Sequence, residues 1–254
     1  EKLQKLREQI EDVNKQIQQI QEMIDEGVDA VFLAPVDWEA IKPALEALDE
    51  ADIPVINVDT QVKDTDLTAA YIGSDNKNAG AVCGENLKTQ CPDGGKVVLL
   101  ECPSQNSVNE RITGFEEAIK NAGFEVVARA DAGGTKESAK EKMAQILAEN
   151  PQVDAVMCGN DKMALGALQA AKEAGKSSLK IYGVDGSPEM KSELTDEKSM
   201  IAGTGAQSPI NVGKQAAKIG EAILNDEDYE KTTYIDTFFI GKDNVEMYGT
   251  NGWQ

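Results

Sequence analysis

Val28-Asp29-Ala30-Val31 opens a stretch that closes on Ile56-Asn57-Val58-Asp59, and Val153-Asp154-Ala155-Val156 opens another that closes on Tyr182-Gly183-Val184-Asp185. The two intervals differ by one residue. Each reads as a short apolar run, a longer amphipathic run and a second apolar run, which predicts strand, helix and strand. Each also ends in an aspartate just past the closing strand. Such a repeat predicts two related α/β halves, each with a carboxylate at a strand's C-terminal end, facing one ligand.

The same alternation continues outward. Strands are predicted at Ala30–Ala34, Ile53–Val58, Lys96–Glu101, Phe124–Ala130, Ala155–Cys158, Lys180–Val184, Ile201–Thr204 and Tyr234–Ile240. Helices are predicted at Trp38–Ala51, Ala79–Lys88, Asn109–Ala122, Ser138–Asn150, Asp161–Ala174, Pro188–Thr195 and Pro209–Leu224. Short apolar strands separated by amphipathic helices imply doubly wound parallel sheets with helices on both faces. Residues 1–27 differ from the rest. Leu3, Leu6, Ile10, Val13, Ile17, Ile20 and Ile24 alternate spacings of three and four, the seam of one long helix that Gly27 would end. That helix either packs on a sheet or forms a coiled coil with another chain.

Composition excludes several functions. The net charge of −20 opposes binding to nucleic acid, whose phosphates need Lys and Arg. There is no histidine, so Ser-His and Cys-His nucleophile pairs cannot form and the commonest metal ligand is missing. Cys83, Cys91, Cys102 and Cys158 form no CxxC pair, and their disulfide state stays open, although Cys158 reads as a buried strand residue. No run is long and apolar enough to span a membrane. Dinucleotide and P-loop motifs are absent, and Gly94-Gly95 and Gly133-Gly134 read as turns. No cofactor, metal or catalytic residue is expected.

In open α/β sheets ligands bind beyond the carboxyl ends of strands. The polar residues predicted there are Asp37, Asp59, Thr60, Asn160, Asp185 and Gln207, with Arg111 near the start of a following helix and Trp38 beside Asp37. Carboxylates, amides and a guanidinium are fork-shaped groups that can each bond two adjacent hydroxyls, as on a sugar or polyol. Plainer roles stand beside this one. Asp37, Asp59, Asp185 and Asn160 also read as helix caps, Arg111 as a surface partner of Glu110, Gln207 as solvated loop, and Trp38 as packing over a strand edge.

Several segments together resemble the type I periplasmic sugar-binding proteins of ABC transporters, nearest to the ribose-binding group. They are Ala34-Pro35-Val36-Asp37, Ile53 to Asp59, Tyr71-Ile72-Gly73-Ser74-Asp75-Asn76, Asn109 to Phe115, Gly159 to Leu168, and Gly183-Val184-Asp185-Gly186. The resemblance covers roughly residues 13–250. It implies ligand roles for Asp59, Arg111, Asn160, Asp185 and Gln207. It also implies an N-terminal lobe of residues 1–73 and 207–236 and a C-terminal lobe of residues 74–206 and 237–254, with a three-crossing hinge. Thr60 stands where the ribose pattern has Arg, Val184 where it has an aromatic, and Gly134 where it has another, which leaves the sugar open. The strand-helix-strand that begins family members has no counterpart ahead of Val13, so the N-terminal lobe is expected to be incomplete and self-association through it or the first helix is expected.

The resemblance therefore implies a non-enzymatic solute-binding protein of the periplasm or outer surface, with or without a lipid anchor, which delivers a monosaccharide or polyol to an ABC permease. Two alternatives are the effector-binding half of a lactose-repressor-like regulator and an engineered or truncated scaffold with impaired binding. The regulator would need a helix-turn-helix, and residues 1–27 show a single helix instead.

Overall fold

The computed structural model describes residues 2–253, with side chains from Ile10 onward. The chain begins with α1 (Lys2–Glu26), β1 (Val31–Leu33), α2 (Lys42–Glu50), β2 (Val55–Val58), β3 (Ala70–Ser74), α3 (Asn76–Gln90), β4 (Gly95–Glu101) and α4 (Asn106–Ile119). It continues with β5 (Phe124–Asp131), α5 (Lys136–Glu149), β6 (Ala155–Cys158), α6 (Asp161–Glu173), β7 (Lys180–Asp185) and α7 (Pro188–Leu194). It ends with β8 (Ile201–Ala206), α8 (Pro209–Leu224), β9 (Thr232–Ile235), β10 (Phe238–Gly241) and α9 (Val245–Tyr248). These elements form two compact units. The first runs to Gly73 and includes Ser104–Ser107 and Asn211–Ile235; the second holds Ser74–Pro103, Val108–Ile210 and the chain from Asp236.

The first unit has a four-stranded sheet in the order β1-β2-β3-β9, with β1, β2 and β3 parallel. Ile20 of α1 and Leu45 and Leu48 of α2 pack with Val31, Leu33 and Val55 in one apolar cluster. Ala216 and Ile219 of α8 pack with Ile56, Ala70 and Ile72 in another. Alternate residues of a strand point to opposite faces, so the two clusters lie on opposite sides of the sheet. The α1 spacing is thereby explained. Val13 and Ile20 are buried, and Ile17 and Ile24 pack against the first cluster. This stretch of the seam serves its own unit, which corrects the coiled-coil reading for it. Ile10 is exposed, and the side chains of Leu3 and Leu6 lie outside the described residues. Gly27, at φ +72, ends α1, and its N–H bonds back to the Ile24 carbonyl at 3.0 Å.

The second unit has six strands in the order β10-β8-β7-β6-β4-β5. All its pairs are parallel except β10 with β8. The chain proceeds from β4 to β5 on one side, then to β6 on the other side of β4. The β4/β6 boundary is therefore the topological switch point, where open α/β sheets bind ligands.

The doubly wound reading holds, with local corrections. The helix expected from Trp38 begins only at Lys42, because the Asp37 carboxylate accepts the N–H groups of Glu39 and Ala40, both at 2.9 Å, and holds a turn. The strand expected at Tyr234–Ile240 is two strands, broken at Asp236-Thr237 where the chain passes between units. Strand β3 has no counterpart among the strands expected from alternation; its Ala, Gly and Ser dilute the apolar signal although every residue is buried. Helices α3 and α5 start earlier than periodicity alone suggests. Their N-caps supply the reason: Asp75 accepts from Asn78 N–H and Thr135 from Ser138 N–H. All four cysteines are free thiols, and Cys158 is buried as expected.

Candidate ligand-binding site

Three of the predicted residues meet in the second unit. Arg111 lies on α4, after β4, and is only 4% exposed. Its Nε donates to Asn76 Oδ1 at 2.8 Å and its Nη1 to the Gly159 carbonyl at 2.9 Å. Because Gly159 follows β6, the guanidinium bridges the two strand ends of the switch point. Its remaining edge faces Asp185, 3.4 Å from Nη1, and Gln207, whose Oε1 is 3.4 Å from Nη2. Gln207 Nε2 donates to Asp185 Oδ1 at 2.8 Å, and Ser74 Oγ donates to Gln207 Oε1 at 2.8 Å. A carboxylate, an amide and a guanidinium thus form one connected patch of donors and acceptors.

These positions overturn two of the plainer readings. Arg111 is buried rather than a surface partner of Glu110, and Gln207 is a part-buried member of the network rather than solvated loop. Gln207 lies in the second unit, since the chain leaves that unit after Ile210. Asn160 does cap α6, accepting from Met163 N–H at 2.8 Å, while its Nδ2 donates to the Gly134 carbonyl at 3.0 Å.

Neither aspartate of the repeated pattern caps a helix. α7 is capped by Ser187, and Asp59 leads into a bend rather than a helix. Both instead adopt positive φ, +64 at Asp59 and +143 at Asp185. A non-glycine residue in such a conformation costs about 1–3 kcal/mol, and such strain concentrates at functional sites. The two copies of the pattern therefore end in the same kind of strained carboxylate.

In the first unit, Asp59 is exposed, and its carboxylate has no hydrogen-bond partner among the described residues. Its backbone is held firmly. Its N–H donates to the Ile72 carbonyl at 3.0 Å, and its own carbonyl accepts the Tyr71 hydroxyl at 2.8 Å. That hydroxyl passes where Gly73 lacks a side chain; a Cβ there would lie 1.9 Å from it. Thr60 is buried, and its carbonyl accepts from Asn57 Nδ2 at 2.9 Å. Asp37 is engaged by its own turn, and one face of the half-buried Trp38 ring has the Lys63 ammonium 6.0 Å from its centroid.

Two supporting residues escaped the sequence reading. Asn57 is fully buried; its amide binds the Leu33 and Thr60 carbonyls and the Val62 N–H, pinning the loop that carries Asp59. A lone Asn inside an apolar strand was the available signal, since buried amides must find partners. Asn76 orients Arg111, while its own Nδ2 is buried without a partner among the described residues. Nothing local in Asp75-Asn76 distinguishes that role from capping.

Among the described residues there is no group of acidic or thiol side chains able to hold a metal ion. Comparison with known proteins gives a consistent result. Residues 4–228 match the family model described as periplasmic binding protein domain. The chain is 30% identical to the ribose import binding protein of Salmonella typhimurium, over 90% of this chain and 76% of that protein. It is also 30% identical to the xylitol-binding protein of Mycolicibacterium smegmatis, over 93% of this chain and 68% of that one. Among solved structures, the periplasmic binding protein component of the arabinose ABC transporter from Shewanella sp. ANA-3, bound to L-arabinofuranose, superposes with a TM-score of 0.86 at 30% identity, over 92% of this chain and 80% of that one. With its repeated strand-end aspartates, its switch-point arginine and a match across most of its length, the chain belongs to the periplasmic binding protein family.

Proposed function

We propose that this protein is a non-enzymatic solute-binding protein that captures a monosaccharide or related polyol and delivers it to an ABC transporter. The observation that carries the proposal is the Arg111–Asp185–Gln207 patch at the switch point of the second unit. Its acceptors and donors match hydroxyls, which both donate and accept. Asn160 extends the patch, and the same reading gives Asp59 and Thr60 of the first unit a ligand role. Tighter binding to one conformation than to another then shifts the protein toward the state that holds the ligand. The names of the ribose, xylitol and arabinose relatives support this ligand class. A place in the periplasm or on the outer surface follows from the same reading; no described helix is long and apolar enough to cross a membrane.

A thermal-shift panel of D-ribose, L-arabinose, D-allose, xylitol and myo-inositol tests the proposal. At a hundredfold excess over Kd, a ligand adds about 2.7 kcal/mol of stability, which raises Tm by roughly 5–10 °C in a protein of this size. Asp59→Ala should weaken binding of the responding compound by about 2–5 kcal/mol, since a charged hydrogen bond is lost in a desolvated site. A panel with no shift, or an Asp59→Ala variant that binds as the parent does, rejects the reading.

The proposal includes pairing with a second copy at the β1 edge. Strand β1 borders its sheet, and Phe32 on it is 53% exposed beside Gly220 of α8. Open apolar edges of this kind recruit another strand. Sedimentation should give twice the 27.3 kDa chain mass, falling to one chain in Phe32→Lys. A single-chain mass for the parent removes this part.

A further inference from the structure

Asp161 is a carboxylate with no obvious purpose. It occupies the first turn of α6, is 1% exposed, and forms no ion pair among the described residues. A first-turn acid normally serves its own helix, but Asp161 bonds elsewhere. Oδ2 accepts the Ser187 N–H at 2.7 Å, and Oδ1 accepts the Thr204 hydroxyl at 2.7 Å. Thr204, fully buried on β8, in turn accepts the Gly186 N–H at 3.2 Å. Both chains of bonds end on the turn that follows Asp185. The fold also leaves space for this carboxylate, since a Cβ on Gly183 of β7 would lie 2.5 Å from Oδ1.

We propose that Asp161 is a positioning residue: through Ser187 and Thr204 it holds the strained Asp185-Gly186-Ser187 turn, and so aims the Asp185 carboxylate at the ligand. The inference rests on the ligand role of Asp185 proposed above. Two consecutive residues of this turn have positive φ, +143 at Asp185 and +75 at Gly186, so the turn needs external support. Asp161 supplies two acceptors in one plane, which fixes the direction of every hydrogen bond. Thr204 must donate to Asp161 and is thereby left to accept from Gly186. An asparagine at 161 cannot reproduce this. Its NH₂ would face either the Ser187 N–H, donor against donor, or the Thr204 oxygen, turning that hydroxyl's proton toward Gly186. Burial pushes the Asp161 pKa up, against the pull of its hydrogen bonds and the Arg111 charge, so the carboxylate is held at an energetic cost.

The test compares Thr204→Val, Thr204→Ser and Asp161→Asn with the parent and with Asp185→Ala. Calorimetric titration uses D-ribose and xylitol, and amide hydrogen exchange is followed in the unliganded protein. Thr204→Val and Asp161→Asn should weaken binding by about tenfold or more, while Thr204→Ser stays within about threefold. In the Asp185→Ala background, Thr204→Val should weaken binding no further. Exchange at Gly186 and Ser187 should accelerate about tenfold in Thr204→Val while the remainder of β7 and β8 stays protected. Unchanged exchange at those two amides overturns the inference whether or not a sugar binds. So does parental affinity in both Thr204→Val and Asp161→Asn while Asp185→Ala has lost binding. Parental binding by Asp185→Ala defeats the ligand site itself, a separate outcome.

Discussion

Arg111→Lys should lose nearly as much ligand affinity as Arg111→Ala, about a hundredfold or more, although it keeps the positive charge. The reason is geometric. Three guanidinium nitrogens reach four partners in fixed directions: Asn76, the Gly159 carbonyl, Asp185 and Gln207. A lysine ammonium is one atom on a flexible stem. It can neutralise Asp185 or bind the Gly159 carbonyl, but it cannot span Asn76 and Gln207 together. Buried acceptors left without donors cost about 1–3 kcal/mol each, and the edge presented to the ligand loses its orientation. Titration calorimetry on both variants, with whichever panel compound the parent binds, decides the matter. A lysine variant within tenfold of the parent would show that charge alone, not the fork, serves the site.

Gly80→Ala and Gly114→Ala should each destabilise the protein by about 3 kcal/mol or more, although alanine favours a helix over glycine by about 1 kcal/mol. Two effects of opposite sign compete here, and distances decide between them. A Cβ on Gly80 of α3 would lie 1.8 Å from the Arg111 carbonyl of α4, and one on Gly114 of α4 would lie 1.9 Å from the Lys77 carbonyl of α3. The obstacles are backbone atoms, so no side chain can step aside. The helices must separate, and α4 carries Arg111 away from Asn76 as they do. Urea unfolding should show a lower midpoint with an unchanged slope, together with weaker sugar binding. A variant as stable as the parent would mean that the helix contact is looser than these distances imply.

Much of the architecture is legible along the chain. The apolar runs at Ala155–Cys158 and Lys180–Val184 and the helical periodicity of Pro209–Leu224 emerge almost at the expected residues. Such signals arise between neighbours a few positions apart, through alternation, 3.6-residue periodicity and capping. Where the reading failed, the local signal was weak or shared. Strand β3 is rich in small residues, and the run from Tyr234 to Ile240 is apolar except at Asp236 and Thr237, where it divides between two sheets. Asp37 reads from sequence as both cap and ligand candidate; its carboxylate holds the turn ahead of α2, whose N-cap is Ile41.

The candidate site divides in the same way. Strand ends can be located from sequence, and they single out Asp59, Arg111, Asn160, Asp185 and Gln207. Sequence also determined that the chain is acidic, without histidine, and built from two related α/β halves. Tertiary structure alone decided that Arg111 is buried, that Asn76, Asn57 and Asp161 are its unannounced supports and those of the two aspartates, and that both aspartates are strained. Each of these depends on a hydrogen bond between segments distant in the chain, or on a backbone angle that such bonds enforce. Neighbouring residues carry no trace of a partner that only folding brings within 3 Å.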